Sequence, residues 1–190
     1  MRQGRTDDAI IVFDDILAKH PARLATKILL ARAYEQNGEW LRAQELANKI
    51  LKELPTDDRA LAVLANAQTA LGKTADALQS YRKLYKVRPD VAQYRLGLAR
   101  TLLANGRAPE ALGLIRELRK NAPAPDENIM LVAFEADALF ALSRGEEAVQ
   151  MAKSAYAAKP EDYRLGLILA GAYARTDRPV SYTHLTLPTN

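Results

Sequence analysis

An all-α fold, a solenoid built from antiparallel pairs of helices, is what the sequence predicts. Proline recurs at a fixed interval, because Pro21, Pro55, Pro89 and Pro123 are each 34 residues apart and Pro160 follows 37 residues later. An alanine stands 12 residues before each of these prolines, and in most periods a second alanine stands 10 residues after. A period on the order of 20–50 residues indicates a repeat protein.

Each period resolves into two helices joined by a turn. The stretch "LATKILLARAYEQNG" places Leu24, Ile28 and Ala31 at helical spacing and ends at Gly38, a natural left-handed helix end. The stretch "EWLRAQELANKILKELP" resumes the helical period and ends before Pro55, which disfavours helix in the preceding residue. The turn residues of successive periods are Gly4, Gly38, Gly72, Gly106 and Ser143.

The same spacing divides the chain into ordered elements. The predicted elements are the second helix of a truncated repeat at 1–23, full helix pairs at 24–57, 58–91, 92–128 and 129–162, and the first helix of a truncated repeat at 163–179. We expect Thr6 or Asp7 to cap the first of these helices, and Thr56 or Asp57 to cap the helix that follows Pro55. The longer period is expected to hold a lengthened loop at "APAPDEN". Because both terminal repeats lack a helix, we expect the chain to be a segment of a longer array.

These features resemble the tetratricopeptide repeat (TPR) family over Gly4 to about Arg178. The small residues Ala31 with Ala43 and Ala65 with Ala77 match the small positions of the family's two helices. Its aromatic positions are matched by Tyr34 and Tyr173 in first helices and by Phe13 and Tyr81 in second helices. The resemblance implies a right-handed superhelix of antiparallel helix pairs, here four full pairs flanked by a half-repeat at each end.

Some positions depart from the family pattern. Lys27, Leu61 and Arg95 stand where the family often has tryptophan, Gln68 where it has an aromatic residue, and Glu135 where it has leucine. Within the family, "RLGLARTLLANGRAPEALGLIRELRKNAP" resembles the bacterial repeat-rich lipoproteins that accompany exosortase/PEP-CTERM export systems. That narrower resemblance implies an envelope location.

The tail at 180–190 breaks the repeat pattern. Its start, "VSYTHL", resembles the translation of a transposase-end adapter used in sequencing libraries, so we expect a non-native read-through. The alternative is a genuine extended arm, since "SYTHLTL" alternates as a strand does.

The composition argues against most kinds of catalytic site. The chain has no cysteine, which excludes disulfides and zinc–thiolate sites, and its only histidines are His20 and His184. Carboxylate pairs such as Asp57 and Asp58 lie at helix starts, where acids are favoured. We therefore expect no cofactor, no metal and no enzymatic activity. No stretch is long and apolar enough to span a membrane, and both the bacterial cytoplasm and the periplasm or envelope fit the composition.

We therefore expect the function to be binding of a partner at the protein surface. The family resemblance implies that first helices line a concave groove, and helix geometry places one row of side chains there. The candidate partner-binding residues are Arg32, Glu35, Asn66, Arg100, Leu103, Asp137 and Phe140. The row is polar and cationic in its first half and more apolar in its second. This pattern favours a peptide with an acidic and an apolar portion, in which arginines pair with carboxylates.

Three functions compete at this point. The first is a non-catalytic scaffold that binds a partner protein or peptide in the groove. The second is an accessory repeat segment of a larger multidomain enzyme or regulator, such as a glycosyltransferase or an exopolysaccharide system. The third, RNA binding, requires a continuous basic groove, and Glu35 and Asp137 argue against it. Self-association through the terminal helices is a further possibility, and nucleic acid is not an expected partner.

Overall fold

The computed structural model describes residues 3–120 and 125–176, with side chains from 6–120 and 128–176, and this part of the chain is helical throughout. Its helices are α1 (Gln3–Lys19), α2 (Leu24–Gln36), α3 (Trp40–Glu53), α4 (Asp58–Ala70), α5 (Thr74–Val87), α6 (Ala92–Ala104), α7 (Ala108–Lys120), α8 (Pro125–Ala141), α9 (Gly145–Ala158) and α10 (Tyr163–Arg175). The predicted all-α repeat of helix pairs is confirmed. The tail at 180–190 lies outside the described residues.

The helices form two compact units. Unit 1 spans Met1–Asn105 and contains α1 to α6, and unit 2 spans Gly106–Asn190 and contains α7 to α10. Within each unit, every helix packs against the next one in the chain. First helices also meet directly, since α2 contacts α4 in unit 1 and α8 contacts α10 in unit 2.

The turns between paired helices use a left-handed residue at the predicted position. Gly38, Gly72 and Gly106 have φ values of 77°, 71° and 72°. Ser143 has the same kind of backbone with φ 57°, although it carries a side chain. Because this region of backbone space is costly for residues other than glycine, the turn geometry rather than residue preference fixes Ser143. Gly4 differs from the expectation, since it lies inside α1.

The predicted alanine columns lie at the helix crossings. The alanines that are fully inaccessible to solvent include Ala31, Ala43, Ala65, Ala77, Ala99, Ala111 and Ala148. Small side chains let the helix backbones approach closely, so larger residues fill the space between crossings. Ile50 and Leu84 in unit 1 and Ile115 and Leu139 in unit 2 are examples. Ala170, which the spacing also assigns to a crossing, is exposed.

Two local expectations are wrong. Neither Thr6 nor Asp7 caps α1, because that helix already begins at Gln3. The part of the expected loop "APAPDEN" from Pro125 onward is helical and belongs to α8, while residues 122–124 lie outside the described residues. Proline is well suited to open a helix, because its missing N–H has no partner there in any case. Asp57 confirms its predicted role, since its side chain accepts hydrogen bonds from the Arg59 and Ala60 amides that open α4, each at 3.0 Å.

Candidate functional site

In unit 1 the predicted residues Arg32, Glu35 and Asn66 line one pocket, and Arg100 lies near Tyr81 of the same pocket. Arg32 on α2 and Arg100 on α6 are exposed, while Glu35, Asn66 and Leu103 are half-buried. We call this surface, defined by Arg32, Glu35, Asn66 and Arg100, the first-helix face of unit 1. Tyr81 on α5, which the sequence pattern did not include, hydrogen-bonds to Asn66 and lies near Arg100.

A pocket of about 240 Å³ opens on this face. Its lining comes from α2, α4, α5 and α6, and consists of Arg32, Glu35, Arg59, Ala62, Val63, Asn66, Tyr81, Leu84, Gln93 and Tyr94. Val63, Tyr81 and Leu84 are almost fully buried and form its floor. The volume is below the roughly 300–1,000 Å³ of small-molecule sites, so it suits a single side chain better than a cofactor.

A chain of hydrogen bonds fixes the polar side of the pocket. The Asn66 amide nitrogen donates to Glu35 Oε1 at 2.7 Å, and the Tyr81 hydroxyl donates to Asn66 Oδ1 at 2.6 Å. The Tyr81 ring is held in turn by Gly97, where a Cβ atom would lie only 2.6 Å from the Tyr81 Cζ atom. Four helices therefore determine where the Glu35 carboxylate points.

The charges at the pocket are only partly neutralised. Arg59 pairs with Asp57 at 2.7 Å, but Arg32 makes no hydrogen bond or ion pair with any described residue. Burial raises the pKa of Glu35, although the Asn66 hydrogen bond and the Arg32 charge oppose the rise. Burial also raises the pKa of Tyr81, against the nearby Arg100. The free guanidinium of Arg32 is thus the pocket's available donor for an anion.

Tyr94 on α6 also lines the pocket. Its hydroxyl donates to Asp58 Oδ2 at 3.2 Å, and Arg88 approaches the same carboxylate atom at 3.6 Å. Sequence reasoning missed Tyr81, Tyr94 and Arg59 as pocket residues. The repeat pattern assigns Tyr81 to a packing column, and only the small Gly97 on the next helix hints at an unusual contact.

In unit 2 the predicted residues Asp137 and Phe140 are joined by a third side chain. Arg175 on α10 pairs with Asp137 at 2.7 Å, and its guanidinium carbon lies 3.9 Å above the centre of the Phe140 ring. The Phe140 ring face that was expected to receive a ligand side chain is therefore covered by Arg175. The sequence pattern did not place Arg175 on this surface.

Glu135 explains one departure from the family pattern. It is only 4 % exposed, at the position where the other repeats have leucine. Its carboxylate accepts hydrogen bonds from Arg116, at 2.8 Å, and from Arg119 on α7. Arg116 also reaches Glu147 on α9 at 3.0 Å. The buried charge is therefore compensated by two cations, as such a charge must be.

Metal binding and membrane crossing concern the same described part of the chain. No group of three or more histidine, aspartate or glutamate side chains there is placed to hold a metal ion. None of the described helices combines the length and apolar character needed to cross a bilayer.

Models of a known repeat family match the chain. Two models, each described as "Tetratricopeptide repeat", match residues 1–67 and 62–125. A protein of Haemophilus influenzae named as a putative cytochrome c-type biogenesis protein, CcmH, is 34 % identical over 87 residues. That alignment covers 44 % of this chain and 19 % of the relative, so the chain spans a small part of the relative's length.

Solved structures share the fold at low identity. A structure of MamA protein has a TM-score of 0.72 at 17 % identity, covering 94 % of this chain and 90 % of that one. A thermophilic TPR protein of Thermus thermophilus has a TM-score of 0.63 at 21 % identity, covering 90 % and 92 %. YrrB, described as "a TPR protein with an unusual peptide-binding site", has a TM-score of 0.68 at 13 % identity, covering 86 % and 83 %. The repeat matches and the helix pairs together place this chain in the tetratricopeptide repeat family.

Proposed function

We propose that the chain is a non-catalytic scaffold that binds a partner protein through a peptide segment on the first-helix face of unit 1. The observation that carries this proposal is Arg32, unpaired among the described residues, beside a pocket with an apolar floor. An acidic side chain fits both features, since its stem can contact Ala62 and Val63 while its carboxylate pairs with the guanidinium. Proteins of this repeat family generally act as binding scaffolds, which supports the same assignment.

The remaining polar groups on this face favour a peptide over a free metabolite. Gln93 is exposed and Asn66 is half-buried, so both can exchange hydrogen bonds with an extended backbone. Arg100 lies beside Tyr81 and adds a second cation along the face. Leu103 is half-buried further along α6 and can contact an apolar residue of the peptide.

The test is selection of random peptides displayed on phage against the purified protein. We expect enriched peptides to carry aspartate or glutamate beside an apolar residue. Replacing both face arginines, R32E with R100E, should weaken binding of a selected peptide at least about tenfold, as loss of charge-assisted pairs does. A matched control, K52E with K83E, reverses two exposed cations on the second helices α3 and α5 of the same unit.

Circular dichroism melts decide whether either double variant is misfolded. Selected peptides that bind R32E/R100E as tightly as the wild type would show that the first-helix face is not the binding site.

A second setting for the scaffold is an accessory segment of a longer protein. The observation that favours it is the likeness to the cytochrome c-type biogenesis relative, because this chain matches only a small part of that protein. The lipoprotein of an exosortase-type export system is the other setting, supported by the resemblance of the third repeat. The surrounding gene sequence separates them, since an in-frame further domain supports the first and a lipid-attachment signal supports the second.

A further inference from the structure

We propose that Glu35 determines the specificity of the first-helix pocket, admitting a singly charged carboxylate to Arg32 and rejecting a doubly charged phosphate. This inference rests on the proposed function and names the chemistry that its pocket selects. It is carried by the positions of Arg32 and Glu35 in the same pocket and by the way Glu35 is held.

Glu35 cannot turn away from an incoming anion without breaking a chain of contacts. Asn66 holds its carboxylate at 2.7 Å, and Asn66 is itself fixed by the Tyr81 hydroxyl at 2.6 Å. Tyr81 is 4 % exposed, and its ring lies against the backbone of α6 at Gly97. The carboxyl group of Glu35 is therefore held at a fixed place in the pocket.

The charges around the pocket then determine whether it prefers a carboxylate or a phosphate. Arg32 on α2 forms no ion pair with a described acid, although its charge acts on the nearby Glu35, while Arg59 on α4 is already paired with Asp57. Asp58, the hydrogen-bond acceptor of Tyr94, is approached by Arg88, and Arg100 on α6 lies beside Tyr81 without lining the pocket.

A carboxylate brings one negative charge and matches the planar guanidinium in a bidentate pair. A phosphate ester carries about −1.5 to −2 charges at neutral pH, which strengthens its attraction to Arg32 and its repulsion by Glu35 alike. The Glu35 charge therefore cancels the advantage that the phosphate would otherwise have at Arg32.

The test uses one peptide from the phage selection, synthesised with glutamate, glutamine or phosphoserine at its acidic position. At pH 7.5 the wild-type protein should bind the glutamate peptide more tightly than either the glutamine or the phosphoserine peptide. The variant E35Q keeps an oxygen that can accept the Asn66 hydrogen bond but removes the charge. It should shift the ratio of glutamate to phosphoserine affinity toward phosphoserine by about tenfold.

The control variant is E45Q, which removes one exposed carboxylate from α3 in the same unit and should leave the affinity ratio unchanged. If R32E/R100E abolishes binding but E35Q leaves the ratio as in the wild type, the specificity role of Glu35 is overturned while the binding site stands. If R32E/R100E does not weaken binding, both the site and this inference are overturned.

Discussion

The ring of Tyr81 on α5 lies so close to Gly97 on α6 that the helix backbone itself forms one wall of the tyrosine site. The same tyrosine holds Asn66 by a hydrogen bond of 2.6 Å. Tyr81 therefore takes part both in the packing of α5 against α6 and in the hydrogen-bond network of the pocket.

The Gly97 contact predicts an unusual result for an alanine substitution within a helix. Gly97→Ala should destabilise the protein by about 1–3 kcal/mol through overpacking, although alanine favours helix by about 1 kcal/mol. Gly113→Ala in α7 is the control, since no heavy atom lies within 4 Å of the added Cβ position, and it should stabilise slightly. Urea unfolding measures both. A Gly97→Ala protein as stable as Gly113→Ala would show that Tyr81 moves aside freely.

The alanine columns predict a second packing effect. Ala65 is fully buried where α4 packs between α3 and α5, so Ala65→Leu should cost about 1–3 kcal/mol of unfolding free energy. Ala70→Leu places the same side chain on an exposed position in the last turn of α4 and should change stability little. Thermal melts followed by circular dichroism compare the two. Equal melting temperatures would contradict the role assigned to the crossing alanines.

The buried Glu135 predicts an asymmetry between removing the acid and removing its cations. Replacing Arg116 and Arg119 together by methionine leaves the carboxylate buried and uncompensated, which should cost about 3–5 kcal/mol. Glu135→Leu restores the apolar residue of the other repeats and should cost far less, because Arg116 keeps Glu147 as a partner. Urea unfolding of each variant, and of the variant that combines all three substitutions, gives the coupling free energy between Glu135 and the two arginines. If the double methionine variant and Glu135→Leu lost similar unfolding free energy, Glu135 would not be a buried charge that the two arginines compensate.

Glu35 and Asp57 predict opposite effects of pH on stability. Burial raises the pKa of Glu35 in the folded protein, so its contribution to stability is complete below the unfolded pKa of about 4.3 and is lost as pH rises through the folded value. Burial also acts to raise the pKa of Asp57, but hydrogen bonds from Arg59 and Ala60 outweigh it and the pKa is lowered. Its contribution is present above about pH 3.9 and is lost as pH falls through the folded value.

Neutral variants separate these two contributions. At pH 7, E35Q should be more stable than the wild type and D57N less stable, although asparagine can still cap α4. The E35Q difference should shrink as pH falls through the raised folded pKa of Glu35, whereas the D57N difference should shrink only below about pH 4. Urea unfolding at several pH values measures both. Differences of the same sign at pH 7 would refute the assignment for one of the two carboxyls.

The parts of the fold that follow from spacing alone could be predicted from the sequence. The left-handed turns at Gly38 and Ser143 and the buried Ala65 follow from one repeat period, because each position has the same neighbours in every repeat. Helix periodicity also brings Glu35 and Asn66 to one surface, where the structure joins them by a hydrogen bond. The extension of α8 to Pro125 was not predicted, since the composition of that segment resembles a loop.

The contacts that distinguish one repeat from another could not be predicted in this way. The Tyr81–Gly97, Glu135–Arg116 and Asp137–Arg175 contacts each join residues on different helices. Each depends on the exact approach of two particular side chains, which a pattern averaged over repeats does not contain. The differences between the surfaces of the two units therefore arise from positions that break the repeat.

Arg175 limits the number of sites at which this protein could contact a ligand. A repeat array suggests one socket, meaning one site for a ligand side chain, in every repeat. In unit 2 one such socket is already filled from within, because Arg175 covers Phe140 and occupies Asp137. A peptide bound on this surface would have to displace that arginine first, so this repeat of unit 2 offers no open site at Phe140 and Asp137.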